Sequence, residues 1–181
     1  IYEQRREIME AESMEEFVRD MRGEVIALTT QACIPHGAYA EQWDINGLHA
    51  EILRLFNLDL PIADWAKEEG IAEEEIEERI REAVDSKMAG KTANVGADLW
   101  RRLEKSIVLQ MLDQNWKEHL LSLDHLRQGI NLRAFGQRDP LNEYKAEAFG
   151  MFETMLMQMR ESITTTLSLV EVNVNAPPPA P

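Results

Sequence analysis

Residues 97–132 read ADLWRRLEKSIVLQMLDQNWKEHLLSLDHLRQGINL, residues 133–140 read RAFGQRDP, and residues 141–170 read LNEYKAEAFGMFETMLMQMRESITTTLSLV. In both long stretches the apolar residues recur every three to five positions, which is typical of amphipathic helices. The residues between them include Gly136 and Pro140, which favour a turn. The sequence therefore predicts two long antiparallel helices joined by a tight turn, here called the hairpin (residues 96–170). An arm of about 36 residues would be roughly 54 Å long at ~1.5 Å per residue.

The apolar stripes predict the faces along which the two arms pack. The first-arm stripe consists of Leu99, Leu103, Ile107, Leu112, Trp116, Leu120, Leu123 and Ile130. The second-arm stripe consists of Leu141, Tyr144, Ala148, Phe152, Met155, Met159, Ile163, Leu167 and Val170. Further apolar residues lie off both stripes, namely Val108, Met111, Leu121, Phe149, Met151, Leu156 and Met157. We expect these to contact a third helix, either residues 1–12 or chain outside this sequence. The methionines fit core packing, which we favour, or an adaptable binding surface.

The turn combines specific backbone chemistry with an aromatic residue at its apex. Gly136 tolerates positive φ, Pro140 suits the first turn of the returning helix, and Asp139 is expected to cap that helix. Phe135 lies between the two stripes and has no periodic role. It is either folded back as a local plug or offered to a partner, and the periodicity does not choose between these alternatives.

The turn is also the basic part of an acidic chain. Its basic residues outnumber its acidic ones: Arg127, Arg133, Arg138 and Lys145 face only Asp139 and Glu143. This excess predicts either a contact with an anionic or carbonyl-rich partner or a simple solvated surface. The whole chain of 181 residues has a formal net charge of −14, which argues against a general nucleic-acid binder.

The sequence of residues 13–95 predicts a small helical subdomain before the hairpin. Ser13 and Glu16 form a capping-box pattern at the start of a helix that Pro35 and Gly37 end. The residues expected on the buried face of that helix are Phe17, Met21, Val25 and Leu28.

Three more helical segments and a break are predicted in the remainder of this subdomain. Pro61 is expected near the first position of a short helical segment. An acidic helix is predicted over residues 71–88, with its glutamates on a solvated face, and a polar break over residues 90–96. The residues expected inside are Leu48, Ile52, Leu55 and Phe56 of a short helix, and Ile76, Ile80 and Val84 of the acidic one.

The chain lacks the patterns that would indicate a self-contained enzyme or a metal site. No phosphate-binding loop of the P-loop kind appears. His119 and His125 are six residues apart and do not share a helix face as an i, i+4 metal pair does. Asp113, Glu118 and Asp124 point in different directions and are expected in salt bridges or solvent. We therefore predict no catalytic, cofactor-binding or metal-binding residues in this chain.

Length, cysteine usage and the two ends add further expectations. Cys33 is the single cysteine, so no intrachain disulfide or thiolate zinc cluster is possible, which fits a reducing cytoplasm. No run approaches the ~20 apolar residues that span a bilayer. The opening IYEQRREIMEAE has neither a cap nor an initiator methionine, which indicates the cut end of a helix. The proline-rich end, in residues 171–181, reads as the beginning of a disordered linker.

Particular residue runs then resemble a known family. The runs DQNWKEHL at 113–120, LRQGINLR at 126–133, DP at 139–140 and EYK at 143–145 closely resemble SecA, the ATPase motor of bacterial preprotein translocation. WDI at 43–45, GL at 47–48 and LPI at 60–62 are similar to the helical wing domain of that family. The resemblance covers nearly the whole chain, to about residue 172, and its WKEHL and LRQGI runs are highly specific.

The resemblance implies an all-α fold with four parts. Residues 1–12 correspond to the end of the long scaffold helix, residues 13–95 to the helical wing, residues 96–170 to the two-helix finger, and residues 171–181 to a linker. In the family, the finger enters the cytoplasmic funnel of the SecYEG channel and its tip contacts the translocating polypeptide. The tip residues so implied are Arg133, Ala134, Phe135, Gly136, Gln137 and Arg138.

One departure from the family bears on the tip. Members often have tyrosine at the position of Phe135. Phenylalanine keeps the bulky apolar face and loses the hydroxyl, so we expect contact by stacking or wedging instead of a phenolic hydrogen bond. Arg133 and Arg138 are expected to donate hydrogen bonds to backbone carbonyls of the channel or the polypeptide.

The resemblance also implies cofactors and partners of the whole protein. ATP and Mg belong to motor domains upstream, and zinc to a tail beyond the linker, so none is expected within this chain. The implied partners are the SecYEG channel, an unfolded preprotein, the protein's own motor domains, an anionic membrane surface and a possible second copy. The expected location is the cytoplasm and the cytoplasmic face of the bacterial inner membrane.

The sequence leaves three hypotheses about function open. The chain is either part of the motor, coupling its motions to a preprotein and regulating ATP hydrolysis, or a passive helical adaptor whose hairpin docks to a partner helix. A third reading is a purely regulatory clamp, in which the hairpin restrains the ATPase and never touches substrate.

Overall fold

The architecture is known from a computed structural model, which describes residues 2–11, 13–133 and 139–174. Within these ranges the chain is entirely helical, with no strand. In chain order the helices are α1 (Tyr2–Glu10), α2 (Glu15–Cys33), a short 3₁₀ turn (Ala40–Gln42), α3 (Ile45–Phe56), α4 (Ile62–Trp65), α5 (Glu73–Val95), α6 (Ala97–Arg133) and α7 (Pro140–Leu169). The predicted all-α fold with a long hairpin is confirmed, because α6 and α7 have 37 and 30 residues and pack against each other.

One apolar core joins the base of the hairpin to the helices before it. Helix α7 packs on both α2 and α3, while the start of α6 packs on α5. The core residues of α6 and α7 are Trp100, Ile107, Val108, Leu112, Met159, Ile163 and Leu167. All of these belong to the first half of α6 or the second half of α7, so the hairpin is anchored at its base and extends away from the core. The division of the chain into wing and finger stays a prediction.

The buried faces of the hairpin arms differ in part from the predicted stripes. Leu99, Leu120 and Leu141 are exposed, whereas Trp100 and Val108 are buried. Helix α6 contacts α5 near its start, α1 further along and α7 over much of its length. Trp100, Glu104, Val108 and Leu112 recur every four positions, so the buried face at the start of α6 is turned away from the predicted stripe.

The predicted third helix is present as α1, although three of the off-stripe residues are not covered by it. Helix α1 packs against α6, and Ile8 is buried there. Leu121, Phe149 and Met157 nevertheless remain exposed. The methionine cluster is divided as well, since Met155 and Met159 are buried and Met157 is more than half exposed at 54%.

The start and the buried face of α2 also require correction. Helix α2 begins at Glu15, and the backbone N–H of Glu15 donates to Ser13 Oγ at 3.2 Å. Glu16 is therefore too close to the helix start for the reciprocal capping-box contact. Met21 and Val25 are buried as predicted, whereas Phe17 and Leu28 are exposed and Val18 and Ile26 are buried in their place.

Helices α3 and α5 agree more closely with the prediction from the sequence. Asp44 caps α3 by accepting a hydrogen bond from Gly47 N–H at 2.9 Å. The predicted core residues of both helices, Leu48, Ile52, Leu55, Phe56, Ile76, Ile80 and Val84, are all fully buried. The break predicted over residues 90–96 is wrong, because α5 continues through Gly90 to Val95 and only Gly96, at φ 96°, interrupts it. A single glycine inside a helix costs only about 1 kcal/mol.

Candidate functional site: the helical hairpin

The two ends of the turn are the parts of the tip that the structure describes. Helix α6 ends at Arg133, and α7 starts at Pro140. Asp139 caps α7 by accepting a hydrogen bond from Leu141 N–H at 3.0 Å, as predicted. The side chain of Arg133 and the residues Ala134, Phe135, Gly136, Gln137 and Arg138 lie outside the described residues. Their role at the tip therefore stays a prediction.

The flanks of the turn are exposed. Leu132 and Leu141 are 73% and 58% exposed, and the basic side chains of Arg127 and Lys145 are exposed as well. Apolar side chains that face water near a basic turn are suited to contact a partner, although single exposed leucines are common on soluble proteins.

A histidine lies between the arms in the middle of the hairpin. His119 is buried, and its ring lies 5.5 Å from the ring of Trp116 and 5.7 Å from that of Phe152 on α7. Burial lowers the pKa of His119, so the neutral ring is favoured. From the sequence, His119 was considered only as a metal ligand and excluded as one. Its spacing of three residues from Trp116 is the signal that could have placed both rings on one helix face.

Ion pairs and lysine contacts attach α1 to the first arm. The Arg5 guanidinium donates to both carboxylate oxygens of Asp113, at 2.7 and 3.1 Å, and this pairing lowers the pKa of Asp113. Lys105 Nζ donates to the backbone carbonyls of Met9 and Ala11 at 2.5 and 3.0 Å. Carbonyls at a helix C-terminus lack partners within the helix, so Lys105 caps α1 from α6.

The acidic residues on the first arm do not converge on a reaction centre. Glu118 accepts from Gln114 at 3.2 Å, and Asp124 accepts from Gln128 at 3.2 Å, while Asp113 pairs with α1. Each carboxylate has its own neighbour, as expected for residues in salt bridges or solvent.

A polar cavity of about 380 Å³ lies at the base of the hairpin, between α2, α5 and α6. On one wall Arg22 donates to Asp85 at 2.8 Å. On another, Glu104 is only 4% exposed, and within the described part of the chain its Oε1 has no hydrogen-bond partner. Burial raises the pKa of Glu104, and a hydrogen bond from Trp100 acts in the opposite direction. The burial of this carboxyl was not predicted, because glutamate is rarely buried and nothing in its spacing marks it.

Another grouping brings together residues that are distant in sequence. His36, Glu73 and Glu74 have possible ligand atoms within 4.8 Å of one another. Glu73 already contacts the His36 ring and accepts a hydrogen bond from Gly37 N–H at 3.3 Å. His36 and Glu74 are exposed, so the group is accounted for as a helix-start contact and needs no ion.

Across the residues that the structure describes, no helix is both long enough and apolar enough to cross a membrane. The arrangement is thus an anchored pair of long helices with exposed side chains near their far ends, and among the described residues no catalytic constellation accompanies it.

Comparison with known proteins gives the family. The sequence profile of the SecA wing and scaffold domain matches residues 1–171, and the chain belongs to that family. It is 55% identical over 183 residues to the protein translocase subunit SecA of Acidiphilium cryptum (strain JF-5), an alignment that covers 99% of this chain and 20% of that protein. It is 51% identical over 172 residues to the same subunit of Afipia carboxidovorans (strain ATCC 49405 / DSM 1227 / KCTC 32145 / OM5), covering 95% of this chain and 18% of that protein. The chain therefore spans about a fifth of the length of these curated relatives.

Proposed function

We propose that this chain is the scaffold, wing and finger part of a protein translocase, and that its hairpin passes motions of nucleotide-driven motor domains to a preprotein. The tip, residues 133–138, makes the contact with the polypeptide and with the SecYEG channel. The same hairpin regulates ATP hydrolysis by the motor through its attachment to α1.

The observation that carries this proposal is the shape of the hairpin. Helix α6 is about 55 Å long at ~1.5 Å per residue, and the shared core holds only the base of the two arms. A displacement at the base therefore moves a tip that lies far from the core. The contacts of Arg5 and Lys105 provide a second attachment, through which α1 and α6 move together.

The remaining parts of the proposal concern the whole protein. ATP and Mg are bound by motor domains and zinc by a tail, all in chain that this sequence does not include. The whole protein is a protein-translocating ATPase that works in the cytoplasm and on the cytoplasmic face of the inner membrane. It contacts anionic lipid there and is able to pair with a second copy.

The proposal is tested by changing Phe135 in the translocase that contains this chain. Phe135→Gly removes the aromatic face, so preprotein translocation should fall about tenfold, which corresponds to ~1.4 kcal/mol of lost coupling. Phe135→Tyr is the matched control and should translocate like the unchanged protein. The measurement is protease protection of a preprotein in membrane vesicles, with circular dichroism as the test of folding. Unchanged translocation by a folded Phe135→Gly protein would exclude the tip contact.

A further inference from the structure

Two lysines of α5 meet the ends of two other helices. Lys87 and Lys91 are four residues apart and therefore lie on one face of α5. Lys87 Nζ donates to the backbone carbonyl of Phe56, the last residue of α3. Lys91 Nζ donates to the carbonyl of Val170, the residue that caps the end of α7, at 2.5 Å. The C-termini of α3 and of the returning hairpin arm thus converge on the same face of a third helix.

The chemistry of this junction favours a stable contact between α5 and the C-terminal ends of α3 and α7. The last four carbonyls of a helix have no partner inside the helix, and the helix dipole places partial negative charge there. An ammonium group supplies up to three donors and a full positive charge to such an end. Both lysines are half-buried, which lowers the pKa of each. The positive charge of Lys87 adds to the lowering at Lys91, and the negative charge of Glu171, immediately after Val170, opposes it at both lysines.

Lys91 is the polar link between α5 and the end of the hairpin. Helix α7 packs mainly on α2, α3 and α6. Near its end, Ser168 is buried and lies 3.9 Å from Met88 Sδ, which is a weak contact. The hydrogen bond from Lys91, one turn further along α5 than Met88, adds a direct contact between α5 and the residue that follows α7.

We propose that Lys91, supported by Lys87, is a positioning residue that fixes the pose of the returning hairpin arm on the wing. This inference rests on the proposed function, because a fixed base is what allows movement of the wing to reach the tip. The junction lies at the base of the hairpin, at the opposite end of α7 from Pro140.

The experiment measures the pose directly in the 181-residue chain. Spin labels are attached at Glu82→Cys in α5 and Leu121→Cys in α6, both exposed positions, in a Cys33→Ser background, and the distance distribution between them is recorded. Hydrogen exchange of the last turn of α7 is followed in parallel. The variants are Lys91→Met, which keeps the apolar stem and loses the donors, Lys91→Arg, which keeps the charge, and Lys67→Met, at an exposed lysine away from the junction.

We expect Lys91→Met to lose the single narrow distance distribution and the exchange protection of residues 166–170, while its helix content by circular dichroism stays unchanged. Lys91→Arg and Lys67→Met should behave like the parent chain. A distance distribution and exchange protection unchanged by Lys91→Met would overturn the inference, whatever the outcome at Phe135.

A second measurement separates this inference from the proposed function. In the translocase that contains the chain, Lys91→Met should reduce preprotein translocation. If Lys91→Met broadens the distance distribution while translocation is unchanged, the role of Lys91 in positioning α7 is supported. The mechanical coupling of the proposed function is then contradicted.

Discussion

Glu104 shows how a single residue makes the base of the hairpin sensitive to pH. Its side chain is buried beside Trp100, and burial raises its pKa above the usual 4.5. The other charges close to it are Glu15, whose negative charge raises the pKa further, and Arg22 and Arg101, whose positive charges lower it. Because the pKa is raised on balance, the folded protein binds the proton more tightly than the unfolded chain.

This asymmetry fixes the sign of the effect on stability. Between the unfolded pKa, near 4.5, and the raised folded pKa, the folded state holds more protons. The free energy of unfolding should therefore decrease as the pH rises through that window, and the loss is complete above the folded pKa. Glu104→Gln removes the ionisation, so it should flatten this dependence and raise stability at neutral pH by on the order of 1 kcal/mol.

The measurement is urea unfolding of both proteins across the acidic and neutral range. Glu118→Gln is a suitable control, because Glu118 is exposed on the same helix. A Glu104→Gln protein that is less stable than the parent at neutral pH would contradict the account, since the ionised carboxyl would then be favoured inside.

At the scale of elements, α1 is held on the hairpin by exposed charges with good geometry. The Arg5 and Asp113 side chains are 40% and 50% exposed, so water screens their attraction. A double-mutant cycle with Arg5→Ala and Asp113→Ala should give a coupling energy of about 0.5–1 kcal/mol. A coupling of zero would show that the pair does not hold α1 in solution, while the pair Arg6 and Glu10 within α1 serves as a local reference.

Two glycines near the connection between α5 and α6 allow a test of where α5 ends. Gly90 lies inside α5, and a Cβ added there would meet no atom within 4 Å. Gly90→Ala should therefore stabilise the protein by about 0.5–1 kcal/mol, because alanine favours the helix. Gly96 has φ 96°, a conformation that strains other residues, so Gly96→Ala should destabilise it by at least about 1 kcal/mol.

Thermal unfolding measures both glycine variants in one series. The expected result is opposite signs for the two substitutions. Destabilisation by Gly90→Ala would mean that α5 does not continue as a helix beyond Met88, and the original prediction of a polar break would then be correct.

These elements also show how far the sequence predicts the structure. Every core residue predicted from the periodicity of α3 and α5 is buried. For α6 the prediction was wrong at Leu99 and Leu120, which are exposed, and it omitted the buried Trp100, because the helices that pack on α6 decide which side of it is buried. Spacing along one helix contains no information about the number and direction of its partners.

Side-chain contacts between distant segments could not be predicted from sequence patterns. The pairing of Arg5 with Asp113 links residues 108 positions apart, and Lys91 reaches Val170 across 79 positions. Both depend on the packing of whole helices, which must be known before the partners can be identified. The tip residues 133–138, by contrast, were predicted by family resemblance alone, and the structure does not describe their contacts.

For the molecule as a whole, the central claim is that the tip of the anchored hairpin touches the translocating polypeptide. The most direct test is site-specific crosslinking from position 135 to a preprotein stalled during translocation, in the translocase that contains this chain. A photoreactive residue at Met157, exposed on the same hairpin but near its base, is the control. The account predicts ATP-dependent crosslinks to the preprotein from position 135 and none from position 157. Crosslinks from position 135 only to other parts of the translocase, with none to the preprotein, would contradict it and favour a purely regulatory clamp.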